Sequence, residues 1–227
     1  MRNRSLPHVM PNFMESRIPH RGLGNDAKAF AERFVLDRIA GFEKDIDICL
    51  TPIPSKTRRG LTHAYFPALA SCCGTLEYLS GLYKGQLDNV GWRDVAVWAS
   101  KYLPQPDYAE DTVRVFVEAF RNSIAHRGIA SGVWIDHKPG NGHGRRFTWK
   151  VLADSRHPAI TFVAEENTLE SDPPWPCPYT HRAHIHLRSL FVDIRKGAIK
   201  YAKEVREDQK LNRKFFACMR ELYPQLR

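Results

Sequence analysis

Apolar residues in the first half of the chain recur every three or four positions, the spacing that places them on one face of an α-helix. This pattern predicts four helices, over about residues 25–46, 61–83, 89–102 and 108–127. Asn25 or Asp26 can cap the first helix, because both side chains accept hydrogen bonds from free backbone N–H groups. Pro104 and Pro106 end the third helix, since proline cannot continue the backbone hydrogen-bond ladder.

The pattern changes in the second half of the chain, from the turn-rich stretch DHKPGNGHG onward. The stretches RFTWKVLAD and AITFVAE are rich in β-branched and aromatic residues, and they predict a small β-hairpin over about residues 145–165. After a proline-rich loop the apolar residues return to helical spacing. They predict C-terminal helices over about residues 180–222, of which the first is long and runs to about residue 208.

These elements predict one mainly α domain over residues 25–227, a helical bundle with a small β-hairpin insertion. Residues 1–24 hold three prolines, two glycines and four arginines, and they predict an extended basic arm ahead of the domain. The sequence contains no internal repeat and no low-complexity tract.

The charge of the chain widens the range of partners to consider. Its 34 Lys and Arg residues outnumber its 25 Asp and Glu residues, which gives a net charge of +9 over 227 residues. A chain this basic is attracted to polyanions, and nucleic acid is the first candidate. Charge alone fits a moderately basic surface without such a partner equally well.

The five cysteines favour a reducing compartment. Their number is odd, Cys72 and Cys73 are adjacent, and no CxxC pair occurs, which argues against a disulfide framework and against a zinc ribbon. The N-terminus has no apolar core of signal-peptide length. The apolar stretch around residues 64–83 is interrupted by Glu77 and predicts a buried helix rather than a membrane span. We therefore expect a cytoplasmic protein without membrane contact.

The fourth predicted helix carries polar groups opposite an apolar stripe. The stripe consists of Val113, Phe116, Val117, Phe120 and Ile124. Arg121, Asn122 and His126 lie on the other side of the helical wheel. Asn122 and His126 are four residues apart and therefore neighbours on one face. Such a face can be solvated, can cap the C-terminus of the helix, or can line a groove against a second subunit.

Residues 121–126, with the sequence RNSIAH, resemble the R-x4-H motif of the HEPN domain superfamily. The stretch LASCCGTLEYLSGLYKG, residues 69–85, is similar to the preceding bundle helix of bacterial HEPN-like proteins, and the matching pieces together cover about residues 26–130. The resemblance implies a mainly α, HEPN-like up-and-down bundle in which two copies of the chain join two motifs in one cleft. It also implies a metal-independent endoribonuclease in defence or stress response, often a toxin with an antitoxin or other partner protein.

Cleavage of RNA without a metal requires a base for the attacking 2′-hydroxyl and an acid for the leaving 5′ oxygen. His126 fits either role, because a free histidine titrates near neutrality. Arg121 would clamp the phosphate with two donors. Asn122 would orient His126 or the phosphate, and Glu77 would fix the Arg121 side chain if the second and fourth helices are neighbours. No cofactor and no metal is expected.

Two further groups of basic residues are candidates for RNA contact. His181 and His184 are three apart on the long predicted helix and form a basic strip with Arg188. The two histidines could share a metal ion, but Arg188 occupies the position of a third ligand and opposes a cation. Arg145 and Arg146 follow the sequence NGHG in a basic loop.

Two alternatives to a ribonuclease stay open. The first is a non-catalytic HEPN-like module for dimerisation or RNA binding, in which the polar face holds the subunits together. The second is a module that binds a nucleotide in the same cleft. Catalysis requires that Arg121 and His126 reach solvent and converge on one cleft, whereas a scaffold role requires them to be buried and hydrogen-bonded.

Overall fold

A computed structural model describes residues 24–52, 63–121, 132–138, 144–169 and 177–223, except for the side chains of Arg121 and Leu169. The predicted N-terminal arm, but for Gly24, lies outside the described residues. Six α-helices and four strands form the described part. The helices are α1 Asn25–Cys49, α2 Tyr65–Lys84, α3 Trp92–Tyr102, α4 Glu110–Phe116, α5 Leu187–Glu207 and α6 Gln209–Leu222. The strands are β1 Trp134–Ile135, β2 Arg146–Leu152, β3 Ile160–Leu169 and β4 Cys177–His186.

Helix α5 lies at the centre of the helical layer. It packs against α1, α2, α3 and α6, and its residue Tyr201 is fully buried. The Tyr201 ring lies 5.6 Å from the ring of Tyr102, which in turn lies 5.3 Å from that of Trp98. Buried aromatic side chains of this size contribute a large share of the apolar area removed from water, so this group of rings anchors α3 on α5.

The four strands form one mixed sheet in the order β1-β2-β4-β3. Strand β2 runs parallel to β4, and the other two pairs are antiparallel. One face of the sheet carries Phe147, Ala183 and Ile185, all with no exposed surface. On the same face the ring of Trp149 lies 5.3 Å from the ring of Phe120, which follows α4 in the chain. Since successive residues of a strand face opposite sides, the other face carries mainly polar residues, together with Leu152 and Val163.

The sheet corrects the expected fold class. About 61% of the described part is helical and 17% is strand, so the fold is mixed α/β and not a mainly α, HEPN-like bundle. The predicted hairpin is wrong, because β4 lies between β2 and β3 and pairs with both. The long helix begins at Leu187 and not near residue 180. Its first predicted residues belong to β4, where Tyr179, Ala183 and Ile185 are buried at the period-two spacing of a strand.

Gly197 is needed where α5 crosses α3. A Cβ atom at this position would come within 3.0 Å of Trp98 Cη2 and 3.1 Å of the Tyr102 carbonyl oxygen. We expect Gly197→Ala to lower the free energy of unfolding by about 1–3 kcal/mol, because overpacking outweighs the gain in helix propensity. Gly41→Ala is the matched control on α1, where a Cβ would meet nothing within 4 Å. Denaturant titration that finds Gly197→Ala as stable as Gly41→Ala would contradict this packing.

Candidate functional site

Helix α4 does not continue as a regular helix into the R-x4-H motif. It passes into a π-helical turn, Val117–Arg121, whose last residue is the first residue of the motif. Val113, Phe116, Val117 and Phe120 are buried as the apolar stripe predicts. Val115 and, in the π-helical turn, Ala119 are also buried, although an α-helical wheel places neither in the stripe. Such turns are rare and often mark functional sites, because they change the direction in which the next side chains point.

The motif itself lies mostly beyond the described part of the chain. The backbone of Arg121 is described but its side chain is not, and Asn122 and His126 lie outside the described residues. The predicted catalytic geometry therefore stays a prediction. What the structure does describe is the set of contacts that hold the chain immediately before and after this segment.

Five charged residues form a cluster beside the motif, which we call the Arg114 cluster: Asp111, Arg114, Glu118, Asp136 and Arg145. Arg114 is 2% exposed and donates two parallel hydrogen bonds to Asp136, at 3.0 Å from Nη1 to Oδ1 and 2.8 Å from Nη2 to Oδ2. Asp136 has no exposed surface. Paired donors of this kind give an arginine–carboxylate contact both strength and a fixed geometry.

Other members of the cluster complete the pairing. Arg114 also donates to Asp111 at 2.8 Å and to Glu118 at 3.0 Å. Arg145 Nη2 lies 2.7 Å from Asp136 and 2.9 Å from Asp111. The cluster therefore joins α4 to the chain after β1 and to the start of β2. In sequence, these contacts enclose the segment that carries the R-x4-H motif on both sides.

Asp136 is held in its charged form by these contacts. Burial acts to raise its pKa, but hydrogen bonds from Arg114, from the backbone N–H of Lys138 and from Arg145 outweigh burial and hold the pKa at about 2. The same two arginines lower the pKa of Asp111 against the effect of its burial. Asp136 and Asp111 thus stay ionised at any pH near neutrality.

This shift predicts a loss of stability in acid. An unfolded aspartate titrates near pH 4, so the folded carboxyl binds its proton less tightly than the unfolded one. The contribution of Asp136 is complete above about pH 4 and is lost as the pH falls towards 2, by about 2 kcal/mol. Denaturant titrations at pH 5 and pH 2.5 should therefore show a smaller drop for Asp136→Asn than for the wild type. Equal drops would contradict the pairing.

Arg145 was a candidate for RNA contact and lies within the Arg114 cluster. Its guanidinium is bonded to two carboxylates and lies 5.2 Å from the centre of the Phe147 ring. Its charge is therefore already balanced inside the protein. The structure thus shows Arg145 in ion pairs within the protein, and its predicted contact with RNA stays a prediction.

Glu77 lies close to the π-helical turn, as its predicted role requires. Helix α2 packs against the π-helical turn, and Glu77 lines a small cavity together with Phe116 and Val117. The cavity measures about 10 Å³, which is barely the room that one water molecule occupies. The predicted pair between Glu77 and Arg121 is not tested, because the side chain of Arg121 is not described.

The strip predicted from His181, His184 and Arg188 does not form, since the two histidines lie on strand β4 and not on a helix. Residues three apart on a strand point to opposite faces. The His181 ring packs at 5.1 Å from that of Phe147 on the core side of the sheet. Arg188 lies on α5, where it donates to the Leu50 carbonyl oxygen at 3.2 Å. Of these three residues, His184 alone lies on the polar face of the sheet.

Both histidines are poor cations at neutral pH. Burial, and after it the charge of Arg145, lowers the pKa of His181. Burial, followed by the charges of Lys150 and Arg182, lowers the pKa of His184. Each imidazole is therefore mainly neutral at pH 7. A bound anion at either position would favour the charged form again.

Several polar residues that the sequence did not single out also pair inside the fold. Buried Asp193 accepts a hydrogen bond from the Tyr108 hydroxyl at 2.9 Å and lies 3.6 Å from Nδ1 of His157. His186 Nδ1 lies 2.5 Å from Oδ1 of Asp154. His157 and Asp154 belong to the connection between β2 and β3, so the two pairs fasten this connection to β4 and α5. We assign both pairs a structural role.

The described residues offer neither a metal cluster nor a membrane-spanning helix. Within them, no three His, Cys, Asp or Glu side chains are placed to hold a metal ion together. No helix among them has the length and apolar character that crossing a membrane requires.

Comparison with models of known protein families, with curated proteins and with solved structures found no match for this chain.

Proposed function

We propose that this protein binds RNA and cleaves it without a metal ion, with Arg121 and His126 as the reacting side chains. The observation that carries the proposal is the π-helical turn that ends at Arg121. It breaks the helical repeat at the first residue of the R-x4-H motif, and the Arg114 cluster fixes the chain on both sides of that motif. An irregular turn supported by a buried ionic network is the local arrangement expected where side chains must be held in a defined position.

The proposed reaction is an internal transfer at phosphorus. A base removes the proton of a 2′-hydroxyl, the 2′ oxygen bonds to the adjacent phosphorus, and the bond from phosphorus to the 5′ oxygen breaks. An acid protonates the leaving 5′ oxygen. His126 supplies one of these two functions, and Arg121 stabilises the negative charge that gathers on the phosphoryl oxygens. The products are a 2′,3′-cyclic phosphate and a 5′-hydroxyl.

The proposal includes a homodimer. Each chain carries one motif histidine, whereas the reaction needs one base and one acid. A two-fold axis beside the motif would place two copies of Arg121 and His126 in one cleft and supply both. Asn122 would then hold the imidazole or the phosphate by a hydrogen bond.

Glu77 is proposed as the residue that positions Arg121. In a π-helical turn residues five apart stack along the helix axis, so the backbone of Arg121 lies one turn beyond Phe116. Phe116 and Glu77 line the same cavity. Glutamate and arginine side chains are long enough to meet across that distance, and their pairing would restrict the guanidinium to one orientation.

The biological setting is proposed from the resemblance of residues 121–126 to the R-x4-H motif of the HEPN superfamily. A ribonuclease of this kind would act in defence or stress response, and an antitoxin or another partner protein would control it. The five free thiols fit a reducing environment, so we place the protein in the cytoplasm.

A non-catalytic module is the second candidate, and a specific observation favours it. The Arg114 cluster stabilises the end of α4 whether or not the motif reacts, as a scaffold for dimerisation, for RNA binding or for a bound nucleotide would require. This candidate predicts that RNA or a nucleotide binds and is released unchanged.

One assay distinguishes the ribonuclease from the non-catalytic module. Incubation of the wild-type protein with a mixed-sequence RNA in the presence of EDTA should produce fragments that end in 2′,3′-cyclic phosphate. RNA that is bound but stays intact across a broad set of sequences would contradict the ribonuclease and support the non-catalytic module.

A further inference from the structure

One face of the sheet carries four basic residues, Arg146 and Lys150 on β2 and Arg182 and His184 on β4, which we call the basic sheet face. Lys150 lies directly opposite His184 in the register, and Thr148 lies opposite Arg182. Because Arg146 and Lys150 are an even number of residues apart, as are Arg182 and His184, all four side chains leave the sheet in one direction. From Arg146 to Lys150 the face extends about 13 Å along β2.

Acidic partners balance several basic residues elsewhere in the described part. Arg114 and Arg145 bind Asp136, Arg195 binds Glu43 at 3.1 Å, and Arg206 binds Glu32 at 2.7 Å. These pairs hold helices and strands together. They leave little free positive charge at those positions.

The basic sheet face differs from this pattern. Among the described residues, no carboxylate pairs with Arg146 or Lys150, and the buried Nε of Arg146 has no hydrogen-bond partner. Arg182 has one acidic neighbour, Glu165 at 3.0 Å, and its guanidinium is fixed against the ring and hydroxyl of Tyr179. The charges of Arg146 and Lys150 are therefore not balanced by a carboxylate among the described residues.

The clustering of basic side chains on the basic sheet face also lowers the stability of the sheet. Basic side chains directly opposite each other on adjacent strands repel, as Lys150 and a charged His184 would. The lowered pKa of His184 is the response to burial and to these neighbours. Negative charge above the face would remove the repulsion and would favour the protonated imidazole.

We propose that the basic sheet face binds the phosphates of a single RNA strand. This inference rests on the proposed function and deepens it, since it assigns the substrate-binding surface. Four basic positions spread over about 13 Å fit successive phosphates along a strand better than one small anion. Strand β2, which carries Arg146 and Lys150, begins directly after Arg145 of the Arg114 cluster.

The chemistry of the face also defines how it binds. Phe147, Trp149 and Phe162 lie on the opposite side of the sheet, and Tyr179, whose ring contacts the Arg182 guanidinium, is only 2% exposed. Stacking on bases therefore does not contribute on the basic sheet face. Binding through phosphates alone carries little sequence preference and weakens strongly with salt.

The test measures binding of a single-stranded, mixed-sequence RNA to the full chain as a function of salt, in an inactive His126→Ala background. The double variant Arg146→Gln, Lys150→Gln should reduce the slope of log affinity against log salt concentration by about 1.4. This equals about 0.7 for each phosphate that is no longer neutralised. Lys196→Gln together with Lys200→Gln on α5 is the control, because both lysines are exposed and the charge change is the same. The control pair should leave the slope unchanged.

A second readout does not depend on the folding of the variants. The pKa of His184, followed by NMR in the same background, should rise when RNA is added. An equal reduction of the slope in the two variant pairs, or a His184 pKa that does not respond to bound RNA, would overturn the basic sheet face and leave the ribonuclease proposal intact. If the wild type neither binds nor cleaves RNA, both proposals are overturned. The same holds if the wild type binds anionic lipid vesicles in a parallel assay but does not bind RNA.

Discussion

Replacing Asp136 by alanine is expected to lower the free energy of unfolding by about 3 kcal/mol or more. The substitution leaves Arg114 buried without its two-donor partner, and a buried charge that loses its partner costs several kcal/mol. Asp111 and Glu118 still bind Arg114, but they lie at the more exposed edge of the cluster. Chemical denaturation at neutral pH measures the change directly.

An exposed ion pair provides the comparison for that result. Glu32→Ala removes the partner of Arg206, whose side chain is 57% exposed, and should cost less than about 1 kcal/mol. A cost below about 1 kcal/mol for Asp136→Ala as well would mean that the Arg114 cluster does not hold this region. The structural support proposed for the R-x4-H segment would then be absent.

Replacing His126 by alanine is expected to slow RNA cleavage by about 100- to 10,000-fold, the contribution of a positioned acid or base. Arg121→Ala should slow cleavage by about 100- to 1,000-fold, as the removal of one charge-stabilising donor group does. Both rates are measured at saturating RNA, with circular dichroism to confirm that the variants are folded.

The control for this second prediction is His137→Ala, which removes an exposed histidine after β1. It should leave the rate of cleavage within about two-fold of the wild type, since surface substitutions away from the site have small effects. A similar loss of rate in His137→Ala and His126→Ala would show that the assay reports stability rather than chemistry.

Periodicity identified the helices well because each of them buries one face. The predicted helices over about 25–46 and 89–102 agree with α1 Asn25–Cys49 and α3 Trp92–Tyr102 to within a few residues. The sequence does not predict strand β4 because its core-facing positions Tyr179, His181, Ala183 and Ile185 include a histidine and a small alanine, which weaken the apolar alternation.

The Arg114 cluster depends on pairs that sequence spacing does not reveal. Asp136 lies 22 residues from Arg114, and Asp111 lies 34 residues from Arg145. One local signal was present: Arg114 interrupts the run TVRVF, in which Val113, Val115 and Phe116 are all buried. A charged residue inside such a run needs a buried partner, but only the folded chain identifies that partner as Asp136.

The π-helical turn was equally hidden from the sequence. The wheel for residues 108–127 assumed 3.6 residues per turn, and Val117–Arg121 departs from that repeat. An α-helical wheel therefore does not fix the direction of side chains beyond Val117.

The most direct test of the account is cleavage of one defined RNA, with EDTA present, beside the same RNA carrying 2′-O-methyl groups throughout. The account predicts that the wild type cuts the unmodified RNA to products with 2′,3′-cyclic phosphate ends and leaves the methylated RNA intact. The variants Arg121→Ala and His126→Ala should cut the unmodified RNA far more slowly than the wild type does, and they should also leave the methylated RNA intact. Cleavage of the methylated RNA, or cleavage that persists in both variants, would contradict attack by the 2′-hydroxyl at this site.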